Sequence, residues 1–453
     1  MKIVIIGAGS LGSEITAALT TEKHEITVID VDSMQAESLG AQYDILAVHG
    51  NGTQRQVQEA VGVARSDLLI AAGNSDEQNL LACLTARKLG APHTIARVRN
   101  PAYYEQLDFL SDDLGVSLHV NPEEAAAREI ARALRLPGVQ KSEPFAGGKA
   151  ELVEMTLTDD SLANGISLFD FANVFQARAL ICAVKRAGNV IIPNGSFILN
   201  AGDRISITAS PSELSSLYTN LGLERSRVRN VLIIGEGPIL FYLAQALTSE
   251  NLSVTIMNKD RDACVQLAED LPRARVLCGD GANQEFLRIE SFENYDAVAV
   301  LTNDDEDNII TAMYAENNGF DKIAIRLARK ALIPVAEKVF NGIIVNPALL
   351  AADHIIQYVR SMTGSPGGVI ETFYKIIGGM AEAVGFSAWR ESKVIGLPLR
   401  DLKIKKGVLV ACIIRKDSQA VVIPGGDDVI RAGDRVVVVT ATHKLSGLDD
   451  ICS

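Results

Sequence analysis

A glycine turn set between two apolar runs constrains this chain most. Residues 3–6 (Ile-Val-Ile-Ile) are apolar and β-branched, as a buried strand requires. The run breaks at Gly7-Ala8-Gly9-Ser10-Leu11-Gly12, then resumes at helical spacing with Ile15, Ala18 and Leu19 on one face. A second apolar run, residues 26–29, ends in Asp30. Strand, turn, helix, strand and carboxylate fit within one βαβ unit of roughly 30 residues. Each part has its own reason. Gly7 permits the tight turn, Gly9 lets a pyrophosphate approach the backbone, and Gly12 lets the helix pack close to the strand. The first N–H groups of the helix and the positive end of its dipole face the phosphates. Asp30 can accept hydrogen bonds from a ribose diol and would repel a 2′-phosphate, which favours NAD(H) over NADP(H). The bland alternative is a glycine turn kept for packing alone.

Strand and helix signals continue to alternate. Further strands are expected in 44–53, 66–79, 93–101 and 116–120, with helices after Asp30, over 80–90 and after Asn121, a plausible N-cap ahead of Pro122. This alternation predicts a doubly wound parallel sheet. Ligands in such sheets bind beyond the carboxyl ends of the strands. There the loops supply Gly7–Gly12, Asp30, Asn51-Gly52-Thr53, Gly73-Asn74-Ser75 and Arg97. Arg97 reads either as a phosphate fork or as a salt bridge at the sheet end.

Residues 136–148 contain two Pro and three Gly and read as a linker. A smaller α+β unit follows, with strands at 150–158 and 179–186, a turn-rich helix at 161–175, a turn at 187–189 and strand pieces within 190–210.

Then the chain starts again. Residues 229–260 overlay the opening stretch, Gly235 standing for Gly7. Segment 276–283 overlays the third strand, 296–308 the fourth and 323–330 the fifth, with Arg326 in the place of Arg97. Segment 345–360 overlays the helix after Asn121, and 421–441 overlays the end of the small unit, pairing Pro193 with Pro424 and Gly202-Asp203-Arg204 with Gly433-Asp434-Arg435. The chain is a tandem duplication. The fold class is α/β: two Rossmann-like doubly wound parallel sheets, each followed by a small α+β domain. The boundaries fall at 1–137, 138–226, 227–364 and 365–453, with a second linker at 365–368.

The halves diverge at the site. Leu240 replaces the third glycine and would obstruct close helix–strand packing. Asn258, flanked by Lys259, replaces Asp30, and an amide binds a diol more weakly than a carboxylate. Pro238 removes one N–H from the cradle. The second site is therefore expected to bind nucleotide weakly, to bind a different nucleotide, or to be vestigial.

Composition narrows the function classes. The net charge of −13 argues against nucleic acid and against adsorption to anionic lipid. No apolar run reaches the roughly 18 residues of a membrane span and no signal peptide is visible, so the chain reads as cytoplasmic, with any membrane role through a partner. The six cysteines lack CxxC spacing and read as free thiols.

The segments GAGSLG (7–12), Asp30, GNGT (50–53), SDEQN (75–79), ARVRNP (96–101) and VNPEEAA (120–126), with the paired PNGSFILNAGDR and PGGDDVIRAGDR, resemble the bacterial TrkA family across essentially the whole chain. These are cytosolic regulatory subunits of Trk-type potassium uptake systems, built from two regulator-of-K⁺-conductance (RCK) units. The resemblance implies binding of NAD(H), and in members or relatives ATP or ADP. It implies docking on a membrane-embedded transporter subunit and assembly into a homo-oligomeric ring, a tetramer. Dinucleotide contacts would fall on Gly7, Ala8, Gly9, Ser10, Leu11, Asp30, Gly73, Asn74 and Arg97, with Gly12 and Asn51 in the same loops. In the second half they would fall on Gly235 to Ile239, including Gly237, and on Asn258, Thr302 and Asn303. The chain departs from the family pattern at Asn51, where RCK domains often carry Asp, and at Leu240 and Asn258.

The rival class is a dehydrogenase, which needs a positioned acid–base group at the nicotinamide. His49 lies beside the predicted pocket and reads better as a polar rim residue; His24, His93 and His443 sit in turns, at a strand start or near a terminus. Lys88 reads as a solvated helix charge, and Tyr103 and Tyr104 as surface residues able to stack on a base. The run 303–307 could suggest Mg²⁺ or Ca²⁺, but its match at 74–77 favours a loop entering a helix. A third class is a ligand-independent assembly scaffold. With no catalytic set and no metal set, the expectation is a nucleotide sensor and not an enzyme.

Overall fold

A computed structural model describes the chain except residues 23, 137, 146–147, 223–227, 282–291, 321, 363–369, 443–444 and 453. The linker expected at 365–368, His443, the end of the third-strand match at 282–283, and the boundary residues 137, 226, 364 and 365 lie outside the described residues.

The opening apolar runs form a six-stranded sheet of order β3-β2-β1-β4-β5-β6. Its strands are β1 (Lys2–Ile6), β2 (Glu25–Asp30), β3 (Leu46–His49), β4 (Leu68–Ala71), β5 (Thr94–Arg97) and β6 (Leu118–Val120), all paired in parallel. The helices are α1 (Ser10–Thr20), α2 (Ser33–Tyr43), α3 (Arg55–Ala60), α4 (Asp76–Leu89), α5 (Pro101–Leu114) and α6 (Pro122–Arg135). The strand order reverses between β1 and β4, and the predicted loops of the first site lie at the carboxyl ends of β1 to β5 on either side of that point. Asn121 caps α6, its Oδ1 accepting from the N–H groups of Glu123 (3.1 Å) and Glu124 (3.0 Å).

A five-stranded antiparallel sheet follows, β10-β9-β11-β8-β7. It comprises β7 (Val139–Phe145), β8 (Ala150–Thr156), β9 (Leu180–Arg186), β10 (Asn189–Ile191) and β11 (Arg204–Ala209), with α7 (Leu168–Phe175) and α8 (Pro211–Asn220) beside it. This corrects the linker reading of 136–148. Most of that segment is β7, an edge strand, where Pro144 forfeits no interior ladder bond. The helix expected over 161–175 begins only at Leu168, and α4 begins four residues earlier than expected because Ser75 caps it, accepting from Gln78 N–H at 3.2 Å.

The second half repeats the plan. Its parallel sheet, β14-β13-β12-β15-β16-β17, uses β12 (Asn230–Gly235), β13 (Ser253–Asn258), β14 (Arg275–Cys278), β15 (Ala297–Leu301), β16 (Lys322–Arg326) and β17 (Ile343–Val345). Its described helices are α9 (Pro238–Ser249), α10 (Arg261–Asp270), α11 (Asp305–Asn317), α12 (Ile333–Val339) and α13 (Pro347–Met362). The last sheet, β18-β19-β22-β20-β21, uses β18 (Ile370–Ile376), β19 (Ala381–Ser387), β20 (Val408–Ile414), β21 (Val421–Val422) and β22 (Arg435–Thr440).

The halves interlock through equivalent helices. Helix α6 packs on α9, burying Ile130 and Leu134 with Leu240 and Leu243. Helix α13 packs on α1, burying Ile355 and Val359 with Ile15 and Leu19. Each such side chain contributes about 1.5–3 kcal/mol on burial. Asn121 Nδ2 donates to Tyr242 Oη across the join at 2.8 Å. The two small sheets share a core in which Phe145, Leu152 and Cys182 meet Ile376, Cys412 and Val437. Among the described residues no helix is long and apolar enough to cross a membrane.

Candidate functional site: two nucleotide clefts

The first cleft is built by the turn between β1 and α1. Gly7 has φ +103°, a left-handed value, and an added Cβ would lie 3.0 Å from the backbone of Ala72 and Gly73. At Gly12 an added Cβ would stand 1.8 Å from the Gly7 carbonyl oxygen. Protein contacts therefore explain both glycines. They do not explain Gly9, whose φ of −68° suits any residue and whose Cβ would meet nothing within 4 Å. The first intrahelical bond of α1 is Ser13 N–H to Gly9 O (2.9 Å), so the N–H groups of Ser10, Leu11 and Gly12 have no helical acceptor. Ala8 lies buried beside them.

Asp30 ends β2 across the crevice. Its Oδ2 accepts the Ala8 N–H at 2.5 Å and its Oδ1 the Asp32 N–H at 2.7 Å. The carboxylate thus ties the turn to the neighbouring strand, and each oxygen keeps a lone pair for a ligand. Asn51 turns inward on its own loop, its Oδ1 accepting from Thr53 N–H (3.0 Å) and Oγ1 (2.8 Å). Gly73 is held by Asn79, which accepts its N–H at 2.9 Å and donates to its carbonyl at 3.0 Å.

Arg97 stands on the rim with its side chain 11% exposed. Its contacts are long: Gly73 O and Asn74 Oδ1 at 3.4 Å and Glu123 Oε1 at 3.5 Å. Its Nε is buried without a partner, and burial pulls the guanidinium pKa below its ordinary value. The sheet-end ion pair of the two readings is present, as a long contact to Glu123.

In the second cleft the same loops converge on a cavity of about 270 Å³ lined by Gly235, Glu236, Asn258, Thr302 and Asn303, among others. The turn takes another path. Gly237 has φ +80° where Gly9 has −68°, and this altered entry lets Leu240 pack fully buried against the α6 side of the core. The expected obstruction by Leu240 is absorbed in this way. Pro238 sits in the first turn of α9, where its missing N–H disturbs no helical bond. Asn258 Oδ1 accepts from Asp260 N–H at 2.8 Å, but unlike Asp30 it does not hold the turn. Glu236 replaces Ala8 and accepts from Asn303 Nδ2 at 2.7 Å, while Arg326 donates to Thr302 O (2.9 Å) and Asn303 Oδ1 (3.0 Å).

Family models place the chain. TrkA-N domain models match residues 3–122 and 231–347, and TrkA-C domain models match 152–222 and 390–453. This chain belongs to the TrkA family. It is 31% identical to "Trk system potassium uptake protein TrkA homolog 1" of Methanosarcina mazei, over 99% of each chain. It is 29% identical to "Trk system potassium uptake protein TrkA" of Vibrio alginolyticus, over 98% of this chain and 95% of that one. Among solved structures it resembles the "GsuK channel bound to NAD", with a TM-score of 0.63 and 18% identity over 97% of this chain and 77% of that one, which establishes the shared fold.

In this TrkA-family chain the remaining singled-out residues fall into place. His49 Nε2 contacts Val31 O at 3.1 Å on the rim. Lys88 is exposed on α4 and Tyr103 Oη donates to Glu77 at 2.9 Å. The run 303–307 opens α11: Asp304 caps it, accepting from Asp307 N–H (2.9 Å), and Asp305 accepts from the N–H groups of Ala328 and Arg329 (2.8 Å each). Sequence reasoning missed the staples. Asn79 and Asn308 each bridge two strand ends, with Nδ2 donating to Arg97 O and Arg326 O at 2.9 Å. The available signal is the repeat of Asn79 as Asn308, at the ends of SDEQN (75–79) and DDEDN (304–308).

Proposed function

We propose that this chain is the nucleotide-sensing cytosolic regulatory subunit of a potassium uptake transporter. NAD(H), or ATP or ADP in its place, binds the first cleft and sets the arrangement of four units, residues 1–137, 138–226, 227–364 and 365–453. The carrying observation is Gly9, a glycine with ordinary backbone angles and open space where its Cβ would be. A ligand phosphate against that backbone explains it. Ser10, Leu11 and Gly12 would donate to the phosphates, Asp30 would accept from the ribose, and Arg97, Gly73 and Asn74 would close the rim. The second cleft, with Gly235, Gly237, Asn258, Thr302 and Asn303, binds more weakly or takes another nucleotide. Relatives named for Trk potassium uptake and a fold neighbour with bound NAD support this reading.

The partner in this reading is a membrane-embedded Trk-type transporter subunit, reached from the inner face of the membrane by a homo-oligomeric ring. The nucleotide acts through differential affinity for two domain arrangements and is not consumed. The deciding experiment titrates NAD⁺, NADH, ATP and ADP calorimetrically into wild type and Gly9→Ala. The variant should keep its stability within about 1 kcal/mol, the scale of an N-cap change, and lose most nucleotide affinity. Unchanged affinity in a folded Gly9→Ala chain rejects the site, and sustained NADH oxidation by wild type rejects the sensor in favour of an enzyme.

A further inference from the structure

One buried carboxyl group has no part in either cleft. Glu129 lies midway along α6, is 5% exposed, and makes no hydrogen bond or ion pair among the described residues. It lines two adjoining cavities, of about 300 and 240 Å³, at the meeting point of both halves. Unpaired buried carboxylates are costly, so such a group sheds its charge by holding a proton.

Most of the charged groups around it are paired with other residues. On β7, Lys141 donates to Lys375 O (2.8 Å) and pairs with Glu143 (3.3 Å). On α13, Asp353 pairs with Lys375 of β18 at 2.6 Å. Glu154 of β8 is taken by Arg204 of β11 at 2.8 Å, whose other arm holds Glu337 of α12 at 2.7 Å. Lys330, which lines the same cavity, pairs with Glu14 of α1 at 2.8 Å. On α6 itself, Arg132 stands one turn away with its Nε buried and unpartnered, while Arg128 pairs with Glu124. His354 of α13 faces the smaller cavity; desolvation holds its pKa below the usual 6.5, so it is neutral above that pH.

We propose that Glu129 is a proton-binding site that couples pH to the packing of the two halves against each other. Burial, opposed in part by Lys141, raises its pKa to about 7. The sign follows from the raised value. The packed junction favours neutral Glu129, so its contribution is complete below the ordinary carboxyl range and is lost as pH rises toward 7. Rising pH therefore loosens the junction. Helix α6 also carries Glu123, the partner of Arg97 at the first cleft, so one helix joins the proton site to the nucleotide rim. That last link rests on the function proposed above; the proton site does not.

The test compares full-length wild type with E129Q, which is neutral and nearly isosteric. Thermal midpoints should agree at pH 4, the variant should gain steadily on wild type to pH 7, and the difference should level off by pH 8. A protonated-carboxyl infrared band present at pH 6, lost by pH 8 and absent from E129Q reports the same proton directly. If E129Q does not fold, E129L replaces it. A pH-independent difference, or a Glu129 already ionised at pH 6, overturns the proposal. NADH affinity should fall several-fold more from pH 6 to pH 8 in wild type than in E129Q. Loss of that effect alone, with the infrared titration intact, would sink the nucleotide link and leave the proton site standing.

Discussion

The two clefts share a scaffold and differ in what they offer a ligand. In both, an asparagine staples adjacent strand ends (Asn79, Asn308), and a buried aspartate gathers the backbone N–H groups that follow the next strand (Asp76, Asp305). In both, an arginine covers the rim (Arg97, Arg326). These parts keep the carboxyl edge of the sheet together whatever binds there. The helix entry differs at four of the expected contact positions: Gly9 against a left-handed Gly237, Gly12 against Leu240, Ala8 against Glu236, Asp30 against Asn258. The parts that brace the sheet edge are thus the same in both halves, and the parts at the helix entry differ.

The largest test of that difference exchanges the third glycine. In Gly12→Ala the new methyl meets the Gly7 carbonyl at 1.8 Å, and a backbone oxygen cannot rotate away as a side chain would. The first unit should lose at least about 3 kcal/mol in chemical denaturation or fail to fold, since overpacking typically costs 1–3 kcal/mol and here it falls on backbone. Leu240→Ala in the second half should cost about 2–5 kcal/mol for the opposite reason, a cavity where a fully buried side chain stood. If Gly12→Ala folds with wild-type stability, the two turns are more alike than their dihedral angles state.

That contrast also marks how far the sequence could be read. The parallel sheets, the duplication and the steric roles of Gly7 and Gly12 were legible, because each rests on local spacing and on a need of one residue. The altered path at Gly237 was not, since a glycine letter does not say which sign φ takes. Nor was β7, whose Pro and Gly content matches a linker and whose strand character comes from pairing with β8. The interlock of α6 with α9 and of α13 with α1 was equally hidden, because a helical apolar face does not name its partner.

The next effect in size concerns the residues that end the second strand. Asp30→Ala removes a carboxylate that receives two backbone N–H groups and would receive the ribose, so NADH affinity at the first cleft should fall by about 2 kcal/mol, roughly 30-fold. Asn258→Ala removes an amide that, among the described residues, accepts only from Asp260 N–H, and the same titration should register little change in total NADH binding. Equal losses from the two variants would mean that both clefts are occupied with similar affinity.

The smallest expected effect sharpens the comparison most. Asn258→Asp restores the carboxylate to the second cleft, so if that residue alone separated the clefts, the variant would acquire a second NADH site. It should not. Three obstacles remain after the exchange. Gly237 keeps its left-handed angle and aims the helix start differently from Gly9. The Glu236 carboxylate, held by Asn303, occupies the wall where Ala8 leaves room. The new charge would also share that cavity with Glu236, Asp280, Asp304 and Asp307, against Lys259 in the lining and Arg326 on the rim, a balance that opposes a pyrophosphate. The expected change in second-site affinity is therefore less than about threefold, under 1 kcal/mol, read as the number and affinity of calorimetric sites. A well-resolved second site in Asn258→Asp would place the whole difference between the clefts in one carboxyl group, and would make the altered turn a consequence of sequence drift with no bearing on binding.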